Sequence, residues 1–151
     1  MTTDLTPHDK EVRRIIFDTL MRTGKAPLSA EVASTLSASH ESVRESFQRL
    51  ADAHMLLLQR ASGEILMAGP FSAVPTPFQV QSGGIPYWGN CIWDALGIPA
   101  MLHQDARLTT ACGDCGEAMQ LSIEGGNLAP ADGTIHFAIP ARRWWDNLVY
   151  T

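Results

Sequence analysis

The chain has 151 residues, 45% of them hydrophobic, and a formal net charge of −5. That size suits one medium domain or two small ones, and the apolar content is too high for a disordered chain. No apolar run is long enough to cross a bilayer, Met1-Thr2-Thr3-Asp4 does not read as a signal peptide, and the negative balance offers no broad basic surface to a phosphate backbone.

In chain order, Val12, Ile15, Ile16, Leu20 and Met21 lie at helical spacing between Asp9 and Met21, and Thr23-Gly24-Lys25-Ala26-Pro27 ends that helix. Ser29 to Leu36 reads as a short second helix. Ser39 is placed to cap a third, in which Val43, Phe47, Leu50 and Ala51 face inward. Leu56–Gln59 and Glu64–Met67 then read as two strands about the Ala61-Ser62-Gly63 turn. Two short helices, a turn, a longer helix and a hairpin make the winged helix-turn-helix pattern, assigned to residues 1–69. Its third helix mixes Glu41, Arg44, Glu45, Gln48 and Arg49 on the outward face. A solvated face of spaced ion pairs explains that mixture better than a groove-reading helix, so DNA is not expected as a partner. His40 and His54 read as surface or packing residues.

Residues 69–77 are Pro-rich and largely apolar, a connector expected to lie extended against the protein. Residues 70–151 form the second expected domain. Phe78–Gln81, Arg107–Ala111, Met119–Ile123 and Thr134–Ala138 are its strand candidates. Helices are expected over Asn90–Leu96, from Pro99 onward, and over Ala141–Asn147. The fold class is therefore α+β, with a winged helix followed by a small domain having a mainly antiparallel sheet. Charge is uneven: residues 1–70 hold eight Lys/Arg against nine Asp/Glu, residues 71–151 three against seven. The cation-poor second half argues against phosphorylated substrates.

Three cysteines, Cys91, Cys112 and Cys115, are no disulfide framework and suit a reducing cytoplasm. Asn90 is a good helix cap, which would put Cys91 in a first turn where backbone N–H groups stabilise a thiolate. Asp94 follows on the same face. A thiolate beside a carboxyl group, among Tyr87, Trp88 and Trp93 as pocket residues, makes a soft-metal site with a proton source in an apolar setting. The turn Cys112-Gly113-Asp114-Cys115-Gly116 is half of a zinc pattern, but a closed structural zinc site needs four ligands and no second half is visible. It is open to three readings: cysteines packed inward on a tight turn, metal capture, or donation of a thiolate to Cys91.

Around Cys91 the sequence resembles the organomercurial (alkylmercury) lyases. An aromatic residue shortly precedes the cysteine, Asp94 follows three residues later, and Ala95-Leu96 and Ile98-Pro99-Ala100 come next. The resemblance continues through Thr110-Ala111-Cys112 into a glycine-containing turn and a strand, and it includes the preceding winged helix. It implies protonolysis of a carbon–mercury bond, with Cys91 as the mercury-binding thiolate and Asp94 as the proton donor. Hg²⁺ would be the product, a small cytosolic thiol the co-substrate, and no organic cofactor would be needed. Cys112 would be structural. The family's second catalytic cysteine would fall past Thr151, at the place toward which residues 141–151 lead. The chain is thus expected to be either shortened or a diverged member. The alternative from another class is a regulator whose winged helix binds DNA and whose cysteines bind a thiophilic metal.

Overall fold

A computed structural model describes residues 4–146. Helix α1 (Pro7–Thr23) starts at a reciprocal cap, in which the Asp9 N–H donates to Thr6 Oγ1 and the Thr6 N–H donates to the Asp9 carboxylate. It ends at Gly24, whose φ of 71° is left-handed. A Cβ there would also lie 2.1 Å from the Pro86 carbonyl oxygen, so glycine is required on both counts. Helices α2 (Ser29–Leu36) and α3 (His40–Asp52) follow, and Ser39 caps α3 by accepting from the Ser42 N–H at 3.1 Å. Strands β1 (Leu57–Leu58) and β2 (Ile65–Ala68) pair antiparallel. The residue before β2, Glu64, accepts from the Ser29 N–H and hydroxyl, which ties this hairpin to the start of α2.

The connector does more than lie against the surface. Phe71–Ser72 forms β3, the third strand of the first sheet beside β2, and Phe71 also bridges to Gly89. Strands β4 (Gln79–Ser82), β5 (Ile85–Trp88), β6 (Ala106–Ala111), β7 (Ala118–Glu124) and β8 (Asn127–Ala129) make an antiparallel sheet in the order β5-β4-β6-β7-β8. Helix α4 (Ile92–Leu102) packs on β4 and β3. A 3₁₀ helix spans Ala141–Asp146 where an α-helix reaching Asn147 was expected; Asn147 lies outside the described residues.

Other differences from the sequence reading have local causes. The two helices expected about Leu96 and Pro99 are one. Pro99 is buried with Ile98, and their packing offsets the hydrogen bond that the ring removes. Strand β5 was hidden by Pro86, which is tolerated because β5 is an edge strand. Thr134–Ala138 does not pair; its Phe137 packs against Trp93 and Trp144 instead of a sheet face.

One contiguous core runs through both halves. Val12, Ile16, Leu20, Val43, Phe47 and Leu50 fill the helical side, and Phe71, Val80, Tyr87, Ile98 and Leu108 the sheet side. Asp9 is fully buried within the first group and is held by Arg49 of α3 through contacts of 2.9–3.1 Å. Arg49 thus keeps the expected outward ion pair, with Glu45 at 3.6 Å, and adds an inward one with Asp9. Tyr87 joins the halves: its buried hydroxyl donates to the Met21 carbonyl at 2.6 Å. Tyr87→Phe is expected to cost about 1 kcal/mol of unfolding free energy in urea titration, with no change in secondary structure.

Candidate active site

Helix α4 starts later than expected. Cys91, with extended backbone (φ −147°), is itself the N-cap, and its carbonyl accepts from the Ala95 N–H at 2.9 Å. The turn into the helix is tight enough that a Cβ on Gly89 would lie 2.7 Å from the Ala95 nitrogen, so only glycine fits. Asn90, freed from capping, reaches forward. Its Nδ2 donates to Asp94 Oδ2 at 2.9 Å and to the Pro70 carbonyl at 3.3 Å. Its Oδ1 is buried and has no partner among the described residues.

The Cys91 thiol and the Asp94 carboxyl group lie close enough for each to shift the other's proton affinity. Burial pushes the Asp94 carboxyl group above its ordinary range, and its bonds with Asn90 and Cys91 offset only part of that. Burial also pushes the Cys91 thiol up. The backbone N–H groups of Asp94 and Trp93 pull it down, while the Asp94 charge pushes it further up. The expectation that the helix start would leave a net-stabilised thiolate is thus corrected. Desolvation outweighs the helix N-terminus here, and burial favours the protonated form of each group.

Both groups face a cavity of about 380 Å³. Trp93, 58% exposed, stands at its edge with Phe137 packed edge-on at 6.3 Å, and Phe137 meets Trp144 at 5.0 Å. The Trp144 indole N–H donates to the Ile139 carbonyl at 2.9 Å. Opposite, Trp145 stacks on His54 at 4.2 Å with planes 8° apart, and Arg13 lies 5.1 Å over the Phe17 ring. Met55, Leu56 and Leu57 complete the wall from the helical side. The site is therefore a thiol and a carboxyl group at one helix start, roofed by aromatic rings drawn from both ends of the chain.

Of the residues expected at the site, Cys91, Asp94 and Trp93 are together. Tyr87 and Trp88 are not pocket residues, because strand alternation sends Tyr87 into the core and neither lines the cavity. Cys112 and Cys115 lie at the β6–β7 turn, outside the cavity lining. Among the described residues, no three His, Cys, Asp or Glu side chains gather as a metal cluster. Sequence reasoning missed Phe137, Trp144, Trp145, Phe17 and His54. The aromatic density of residues 137–145 was a signal for the first three, whereas nothing local marks Phe17 or His54.

Residues 71–151 match the family model for MerB, alkylmercury lyase, which is more than half of the chain. Among solved structures, the chain is similar to the mercury-bound form of MerB2 at a TM-score of 0.67 and 23% identity, covering 83% of this chain and 60% of that one. It therefore spans 60% of the length of that solved relative. No curated protein matches. The described helices and antiparallel strands agree with that mixed fold, and no described helix is long and apolar enough to cross a membrane. With the lyase-family match running through the residues that carry Cys91 and Asp94, the chain belongs to the alkylmercury lyase family.

Proposed function

We propose that this chain cleaves carbon–mercury bonds by protonolysis, with Cys91 binding R–Hg⁺ and Asp94 protonating the leaving carbon. The observation that carries the reading is that Cys91 and Asp94 together line one apolar, aromatic cavity. Soft sulfur suits mercury, and the organic group gains an apolar wall. Burial favours the neutral acid at Asp94, and the proton that Cys91 gives up as its sulfur bonds to mercury passes to the thiolate that delivered R–Hg⁺. A small thiol then adds the second sulfur as its thiolate. The carbon–mercury bond breaks, its electron pair takes the proton from Asp94, and R–H leaves with Hg²⁺ held between two sulfurs. Asn90 keeps the Asp94 carboxyl group oriented throughout.

We read residues 1–69 as a winged-helix unit and 70–151 as the lyase-like unit, with the first acting as scaffold. Its contribution to the reaction is the cavity wall of Phe17, His54 and Met55. Both cations of α3 are engaged within the chain, Arg49 with Asp9 and Arg44 with the Ser62 carbonyl, which favours the scaffold over a DNA-binding regulator.

Benzene release from phenylmercury, with excess small thiol, tests the reading. Release above the thiol-only control that disappears in Cys91→Ser is the expected result. Release at the control rate by the unsubstituted chain overturns it.

A further inference from the structure

The turn Cys112-Gly113-Asp114-Cys115-Gly116 has no part in the reaction just described. It closes the β6–β7 hairpin, where Ala111 pairs with Ala118. Two backbone bonds brace it: the Cys112 N–H donates to the Glu117 carbonyl at 2.8 Å, and the Gly116 N–H to the Cys112 carbonyl at 3.0 Å. The bond from Gly116 back to the Cys112 carbonyl closes one tight loop that holds both cysteines, three residues apart. Cys115 is exposed and Cys112 half-buried, so a ligand reaches both from solvent.

We propose that Cys112 and Cys115 form a two-sulfur chelate for a soft, two-coordinate metal cation such as Hg²⁺, separate from the Cys91 cavity. Zinc would demand more ligands than this turn supplies, and among the described residues no cluster of three or more provides them. Two thiolates suffice for a cation that accepts linear coordination and prefers sulfur. Loading is an exchange. Two bonds from mercury to carrier thiols break, two bonds to Cys112 and Cys115 form, and the two cysteine protons pass to the released carriers. No oxidant or reductant is involved. The exposed carboxylates of Asp114 and Glu117 lie beside the turn and favour the approach of a cation.

This inference rests on the turn alone, not on the protonolysis reading. The full chain carrying Cys91→Ser is titrated with inorganic Hg²⁺ against excess small monothiol, and sulfur-to-mercury charge-transfer absorption is read. One Hg²⁺ per chain retained against the competitor is the expected result. Adding Cys115→Ser, or Cys115→Ala, at this exposed position is expected to weaken retention about a hundredfold, as loss of a chelate does. Far-UV dichroism is expected to stay unchanged in both. No retention by Cys91→Ser, or equal retention with and without the Cys115 sulfur, overturns the proposal. Because Cys91 and the carbon–mercury bond are both absent from this titration, its failure leaves the benzene-release result untouched, and the converse holds.

Discussion

Asp94→Asn is expected to slow thiol-dependent benzene release from phenylmercury by about 10²- to 10⁴-fold, the usual contribution of a positioned proton donor. The substitution keeps the size of the side chain and its bond from Asn90, and it offers an N–H to the unpartnered Asn90 Oδ1. Mercury binding at Cys91 is therefore expected to survive while the chemical step fails. In the unsubstituted chain, release should decline as pH rises through the raised range of Asp94, because the acid form is the reactive one. Stability is expected to fall over the same pH window. A carboxyl group whose folded pKa is raised binds more protons folded than unfolded across that window, so its burial costs stability once pH passes the ordinary carboxylate range. Asp94→Asn removes that cost and is expected to raise the thermal midpoint at neutral pH. A substitution that lowered both rate and midpoint would assign Asp94 a structural role instead.

Arg49→Ala is expected to destabilise the protein by about 3 kcal/mol in urea titration, the cost of leaving a buried charge without its partner. Asp9 is fully buried. Burial alone would raise its pKa, yet bonds from Arg49, Ser46 and Thr6 together hold its carboxyl group well below the usual range. A depressed folded pKa means that the unfolded chain binds the extra proton. This contribution is therefore complete above the ordinary carboxylate range and is lost as pH falls through the folded value. In Arg49→Ala that acid-side loss should flatten, because the carboxyl group no longer ionises more readily folded than unfolded. Combining Arg49→Met with Asp9→Asn is expected to cost less than the sum of the single changes, since each single change strands the other group. Strict additivity would mean that the pair contributes nothing by its contact.

The parts of this protein that were legible in its sequence are those whose signal is local. Helical spacing located α1 to α3, alternation located β4, and the Cys91–Asp94 spacing pointed to two residues that line one cavity. What was lost depends on contacts between distant segments. Asn90 looked like a cap because asparagine commonly is one, but bonds to Pro70 and Asp94 draw it elsewhere. Tyr87 was grouped with the pocket because it is near Cys91 in sequence, while strand geometry turns it toward Met21. His54 meets Trp145 across most of the chain length, and no pattern within a window reports such a pair. The thiol was misjudged for a related reason: helix position is readable from sequence, whereas the desolvation that outweighs it is not.

Strand β3 sets the terms on which this protein can be dissected. It belongs to the first sheet by hydrogen bonding and reaches Gly89 of the second half by its bridge. A fragment ending at residue 69 would leave β2 with an unpaired, apolar border, the kind of surface that recruits other strands and aggregates. A fragment starting at residue 70 would keep Cys91 and Asp94 but lose the Phe17, His54 and Met55 wall, leaving them open to water. Halves produced separately should therefore be soluble and competent only when co-expressed, with the first extended through Ser72.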